Sequence, residues 1–195
     1  MRRKTGPEKA DIAVAEAAAP LRHTIVVRTL GWLSEAADQP QLISLCAATL
    51  AFGLVTGNGR IARAGGRMLA AELLATGLKS AVKHRVDRSR PRVVDDGGRY
   101  TMRKGHDRAS GANSFPSGHT AGAVAVARAF AREYPEHRTA ALGTAAAVAV
   151  VQIPRCQHYP TDLAAGAAIG LAAEELVYLG EVLLARTIEA SEQSA

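Results

Sequence analysis

QPQLISLCAATLAFGLVTGNG, residues 39–59, contains no charged side chain, and its centre, Leu42–Val55, is continuously apolar or small. A helix that crosses a bilayer needs about 20 mostly apolar residues, within a range of roughly 17–25. The stretch therefore decides between a basic soluble bundle and a membrane protein, and it reads as a membrane span. A second uncharged run, TAALGTAAAVAVVQIP (Thr139–Pro154), reaches the same length if it tilts little or borrows a flanking turn.

Around these runs the composition is otherwise ambiguous. The 195 residues are 48% hydrophobic and 22% charged, with 4% aromatics, a formal net charge of +6 and a mean hydropathy of zero. That apolar content excludes a disordered polyelectrolyte. Two cysteines, Cys46 and Cys156, are too few for a disulfide-stapled mini-domain. Alanine makes up about a fifth of the chain; it favours helix throughout and pulls mean hydropathy towards zero, so the placement of charge carries more information than the average.

Three further apolar stretches carry ionisable groups: Gly66–Lys83 (Arg67, Glu72, Lys79), Ser117–Ala131 (His119, Arg128) and Thr161–Ala185 (Asp162, Glu174, Glu175, Glu181). In a membrane such groups must face a bundle interior, water or one another. Gly166-x3-Gly170 has the spacing that lets two helices approach closely in lipid. No strand-like alternation persists and no period of 20–50 residues repeats. The expected fold is all-α: an integral membrane bundle of five to six helices with its active site at one membrane face. The competing reading is a soluble Ala-rich bundle.

Residues 1–20 read as a flexible or surface-lying tail, because Glu8, Lys9, Asp11 and Glu16 interrupt any apolar signal core. Residues 21–188 form the expected bundle and 189–195 a short C-terminal tail. Leu21–Ala37 is apolar but punctuated by Arg22, His23 and Arg28, which suits an interfacial helix with Trp32 at headgroup level better than a first span. Pro91 is expected to stop or divert the third helix. The polar stretch from Arg92 to Phe115 has the length of a functional loop.

Polar chemistry gathers at the breaks in three clusters: KHRVDRSRP (Lys83–Pro91), FPSGH (Phe115–His119) and RCQHYPTD (Arg155–Asp162). Pro116, Ser117 and Gly118 suit a helix start whose exposed N–H groups cradle an anion, with His119 in the first turn. His158 and Asp162 share a helix face at i,i+4; a carboxylate on one imidazole nitrogen leaves the other free as nucleophile or base. Lys83 and Arg90 add cations, and an arginine fork fits phosphate oxygens. Two histidines, an anion nest and several cations are what phosphoryl transfer requires.

In this order, Lys83-x6-Arg90-Pro91, Pro116-Ser117-Gly118-His119 and His158-x3-Asp162 resemble the three-part signature of the type-2 phosphatidic acid phosphatase superfamily, over roughly Leu42 to Ala185. The group includes membrane lipid phosphatases, class A acid phosphatases and vanadium haloperoxidases. The resemblance implies that His158 attacks phosphorus to form a phosphohistidine and that Asp162 orients it. By the same resemblance His119 protonates the leaving oxygen and later activates water, while Lys83, Arg90, Ser117 and Gly118 hold the phosphoryl oxygens. It implies no metal and no cofactor. The third motif departs from the pattern: where the family places Ser-Arg, this chain has Val151-Gln152, and Arg155 is expected to supply the missing cation. The departure leaves open an impaired enzyme or one with an unusual substrate.

The short chain, with its motifs set between apolar helices, looks like the compact membrane lipid phosphatases rather than the soluble acid phosphatases. The implied partners are a phosphorylated lipid substrate and membrane lipids. A basic nucleic-acid-binding or scaffold protein is the non-enzymatic alternative, and the scarcity of aromatics and the apolar runs speak against it. Counting helices puts the three motifs on one side. Arg60, Arg63, Arg67, Arg128, Arg132 and Arg138 flank the connections on the other, which suggests a bacterial inner-membrane protein with a periplasmic or outer-facing site. The loop arginines Arg99, Arg103 and Arg108 argue for the opposite side unless substrate explains them.

Overall fold

The structure, a computed structural model, describes residues 4–105 and 110–193. Five long helices make the body: α3 (Gln39–Val55), α4 (Gly59–Lys83), α6 (Gly118–Glu133), α7 (Arg138–Val151) and α8 (Pro160–Glu192). Three shorter ones, α1 (Gly6–Ala18), α2 (Ile25–Ser34) and α5 (Pro91–Asp95), lie along the chain before and between them. Helix α6 is central and packs against α3, α4, α7 and α8. Its buried face is Ala121, Ala125, Val126 and Ala129, small side chains that admit four neighbours.

The small residues set the helix spacing. Gly57 ends α3 in the left-handed conformation (φ 67°), and Asn58 caps α4 by accepting the Ile61 N–H (3.1 Å). The antiparallel α3–α4 pair is so close that a Cβ at Gly53 or Gly65 would strike backbone of the opposite helix at 2.2–2.3 Å. Gly166 and Gly170 do the same for α8 on α6: a Cβ there would lie 2.5 Å from the Ser117 carbonyl and 2.4 Å from the Ala121 carbonyl. The spacing noted in the sequence is thus the contact that brings the start of α8 against the start of α6.

Several expectations are corrected. The fold is mostly helical but not purely so: Val86–Arg88 (β1) and Met102–Lys104 (β2) pair antiparallel, with Asp87 opposite Arg103. Three-residue strands are too short to show a period of two. Among the described residues no helix is long and apolar enough to cross a membrane. Helix α3 stops at 17 residues, about 26 Å at 1.5 Å per residue, short of the ~30 Å hydrocarbon core. Pro91 does not stop the third helix, which ends at Lys83; it opens α5. Residues 6–18 of the expected tail form α1, with Glu8, Asp11 and Ala15 buried, and α8 runs on through 189–192. Arg108 lies outside the described residues.

The core is built mainly of small apolar side chains, Ala64, Ala71, Ala125 and Ala173 among them, so the bulkiest buried groups are polar and several large apolar ones face outward. The largest fully buried side chains include Arg88, Tyr159, His158, Gln152, Glu72 and Glu174, whereas Ile25, Trp32, Phe52, Leu54, Val55, Leu183 and Leu184 are exposed. At the end of the bundle remote from Lys83 the arginines meet carboxylates. Arg128 and Arg132 pair with Glu174 and Glu175, Arg67 with Glu133 and Glu181, and Arg60 with Glu136.

Candidate active site

The C-terminus of α4, the N-termini of α6 and α8 and the connections between them converge on one end of the bundle. Lys83 ends α4, and its Nζ donates to the Asn113 carbonyl (3.4 Å). Arg90 is held by its main-chain N–H on the Gly111 carbonyl (2.8 Å) and by its side chain, which donates to Gln157 Oε1 (2.5 Å). Ser117 is the N-cap of α6: its Oγ accepts the Thr120 N–H (3.4 Å), and its own N–H donates to the Asp162 carbonyl (3.0 Å). The second and third motifs are therefore joined by a main-chain hydrogen bond at the Gly166 contact. Gly118 lies against the side chain of Lys79, one turn before Lys83 on α4; a Cβ there would meet Lys79 Cδ at 3.3 Å.

His158 sits in the connection before α8 and is 2% exposed. Its Nδ1 is 2.7 Å from the Ser114 carbonyl. A carbonyl only accepts, so Nδ1 carries the proton and Nε2 keeps its lone pair. Asp162 Oδ2 is 3.8 Å from the same Nδ1, beyond hydrogen-bond reach. Asp162 is pinned instead by Ser114 Oγ (2.5 Å) and the Tyr159 N–H (2.8 Å), both donating to Oδ2, and by Arg88 Nη1 donating to Oδ1 (2.6 Å). Orientation of the imidazole thus comes from a main-chain oxygen, and Asp162 adds negative charge beside it. Burial, followed by the neighbouring cations Arg90 and Lys83, pushes His158 below its ordinary pKa against the pull of Asp162, so the ring is neutral at pH 7.

His119, in the first turn of α6, has its Nε2 2.8 Å from Asp38 Oδ1, close but out of line for a hydrogen bond. Asp38 is the N-cap residue of α3. Burial, and then the Glu35 carboxylate beside it, raise its pKa to about 6. Glu35, Asp38 and His119 present ligand atoms within 4.8 Å of one another, the one group among the described residues with metal-ligand spacing. Arg155 occupies Glu35 as an ion-pair partner, which sets that carboxylate against a second role.

Arg155 does not stand where the sequence expectation puts it. Its guanidinium is turned to α2: Nη1 donates to Ser34 Oγ (2.8 Å), Nη2 pairs with Glu35, and the Nε end of the chain packs on Gly31. Gln152, at the position of the family's arginine, is fully buried and donates to Ser34 Oγ (3.2 Å) and the Val148 carbonyl (3.0 Å). Reaching a phosphoryl oxygen would cost Arg155 its pair with Glu35. Sequence reasoning missed Lys79, Asp38, Ser114 and Gln157. Only Lys79 left a usable signal, its i,i+4 spacing to Lys83; the others act through loop geometry or a main-chain atom.

The PAP2 superfamily matches residues 64–182. A lipid A 1-phosphatase of Rhizobium johnstonii is 34% identical over 95 residues, 48% of this chain and 38% of that protein. A lipid A 1-phosphatase of Porphyromonas gingivalis is 35% identical over 85 residues, 42% of this chain and 19% of that protein. The chain thus spans two-fifths or less of the curated relatives it matches. In structure it is similar to the transmembrane PAP2-type phosphatidylglycerolphosphate phosphatase of Bacillus subtilis (TM-score 0.62, 18% identity, 92% of this chain and 88% of that one). It is also similar to LpxE of Aquifex aeolicus (TM-score 0.60, 18% identity, 87% and 94%). With its matched region covering more than half of its length, the chain belongs to the PAP2 superfamily.

Proposed function

We propose that this protein is a membrane lipid phosphatase that removes phosphate from a phosphorylated lipid through a phosphohistidine on His158. The observation that carries the reading is the contact of the buried His158 Nδ1 with the Ser114 carbonyl, which puts the proton on Nδ1 and the lone pair on Nε2, with the charges of Arg90 and Lys83 acting on the same ring. Nε2 attacks phosphorus, an N–P bond forms and the P–O bond to the lipid breaks. His119 gives its proton to the departing oxygen. Water then attacks the phosphohistidine, His119 takes its proton, the N–P bond breaks and inorganic phosphate leaves. Lys83, Arg90 and the Gly118 N–H stabilise the charge that develops on the phosphoryl oxygens, while the Ser117 N–H, already given to the Asp162 carbonyl, holds the start of α6 in place.

The membrane setting draws on the large apolar side chains that face outward and the charged ones that are paired inside. Large apolar side chains outside and paired charges inside suit a bundle set in lipid, with the individual helices too short or too charged to announce themselves. Residues 21–188 form the embedded bundle. A bacterial inner membrane with the site on the periplasmic or outer side fits the placement of arginines at the opposite end. Arg60, Arg63, Arg67, Arg128 and Arg132 all pair with carboxylates, but the side rule counts basic residues, not net charge.

Lipid A 1-phosphate heads the candidate substrates because the curated relatives carry that name; phosphatidate, phosphatidylglycerophosphate and polyprenyl diphosphates complete the panel. Phosphate release from this panel by detergent-purified protein tests the reading. Release from at least one lipid, abolished by His158→Ala, is expected. No release from any lipid by folded protein contradicts it.

A further inference from the structure

A buried chain of charge links the first helix to the nucleophile. Arg88, on β1, is 1% exposed and spreads its guanidinium between two carboxylates. Nη1 donates to Asp162 Oδ1 (2.6 Å) and Thr161 Oγ1 (2.8 Å), and Nη2 donates to Asp11 Oδ2 (2.6 Å). The guanidinium lies over the Tyr159 ring at 4.2 Å, which fixes its plane. Asp11, in the middle of α1 and 3% exposed, does two jobs at once. Its Oδ1 accepts the Thr161 N–H (3.0 Å), one of the unpaired donors in the first turn of α8, and its Oδ2 accepts from Arg88 and from the Thr161 hydroxyl.

We infer that Asp11 and Arg88 are positioning residues for the phosphoryl-transfer step, and that α1 is an integral part of the catalytic unit. The inference rests on the phosphatase reading above. Two carboxylates against one guanidinium leave the cluster with a net charge of one negative unit, directed through Asp162 at His158 Nδ1, 3.8 Å away. When Nε2 bonds to phosphorus while Nδ1 keeps its proton, the imidazole ring becomes positively charged, and that negative charge stabilises it. Without the charge of Asp11, Arg88 neutralises Asp162 alone, and the ring faces a cluster with no net charge. Asp11 also anchors the first turn of α8, the turn that carries Asp162, so the same residue sets charge and place.

The test is to titrate orthovanadate and inorganic phosphate into detergent-purified wild type and the Asp11→Asn, Arg88→Lys and His158→Ala variants, with phosphate release measured in parallel. Asparagine keeps the Oδ1 acceptor for the Thr161 N–H and loses the charge together with the Oδ2 acceptor for Arg88 and the Thr161 hydroxyl; lysine keeps the charge and loses the fork. Five-coordinate vanadate imitates the transition state and takes Nε2 as a ligand, whereas phosphate is held by the surrounding cations. Both positioning variants are expected to weaken vanadate at least about tenfold, and to lower kcat by a similar factor with little change in KM. Phosphate affinity is expected to stay within about threefold in the same variants. If Asp11→Asn does not fold, Arg88→Lys decides. Unchanged vanadate affinity, or vanadate and phosphate lost in proportion, overturns the inference while wild-type activity stands. A wild type with no His158-dependent vanadate binding or phosphate release overturns the phosphatase reading, and the inference with it.

Discussion

The proton on His158 Nδ1 is fixed by the oxygen of Ser114, a main-chain atom that no side-chain motif displays. The motif residues themselves were legible because their chemistry is carried by side chains at set spacings: Lys83, Arg90, Ser117, His119, His158 and Asp162 all gather at one end of the bundle. Arg155 was less legible, since its partners Ser34 and Glu35 lie about 120 residues earlier in the chain. Arg90→Ala is expected to lower kcat by about a hundredfold or more, the size of effect typical of losing one preorganised charge-stabilising donor. Arg155→Ala is expected to cost less than about tenfold in kcat, because the guanidinium serves the α2 contact; Arg90→Ala and Arg155→Ala compared on one lipid check the ranking.

The pH dependence follows from Asp38, whose pKa is raised to about 6 by burial and the neighbouring Glu35. Above that pH it is a carboxylate beside His119 whose charge favours a proton on the imidazole; below it the carboxyl is neutral and that electrostatic support is lost. Burial keeps His158 unprotonated below its ordinary pKa, so it does not set this limb. His119 must carry the proton it donates, and that form becomes scarce as pH rises. The activity kcat/KM is therefore expected to fall as pH rises above about 6, and Asp38→Asn, which removes the carboxylate that favours the protonated form, is expected to start the fall at lower pH. A full pH profile of the two proteins decides it.

At the scale of elements, the end of α4 and the starts of α6 and α8 make the site, and the packing of α8 on α6 holds the last two together. The glycine spacing on α8 announced a close approach; what it could not announce was the partner helix, or that the Ser117 N–H would donate to the Asp162 carbonyl beside it. Helix α1 was illegible as part of the site because Asp11 meets Arg88 and Thr161 across 77 and 150 residues, while locally its charges only spoil an apolar run. The β1–β2 pair hid for the opposite reason, strands too short for a pattern. Gly170→Ala drives a methyl into the Ala121 carbonyl and is expected to destabilise the protein by about 1–3 kcal/mol. It is also expected to lower kcat more than about tenfold, since a shift of about 1 Å at reacting groups has larger effects than that; thermal unfolding and turnover measured together check both.

For the whole molecule, the zero mean hydropathy and the +6 charge are averages over very different surroundings. Buried Glu72, Glu174, Arg88 and Asp162 stand inside a bundle whose outer surface carries Trp32, Phe52, Val55 and Leu184. Helix count and the one-sided placement of the motifs were readable from charge-free runs and breaks, whereas the length of each helix was set by capping and packing that the runs do not encode. The central claim is that phosphate passes through His158. The most direct measurement is rapid quench of the detergent-purified protein with a lipid labelled in its phosphate, followed by mapping of the labelled peptide. The account predicts an acid-labile, alkali-stable phosphoryl group on His158, absent in His158→Ala. Lipid dephosphorylation that proceeds with no label on His158, or persists in His158→Ala, would contradict it.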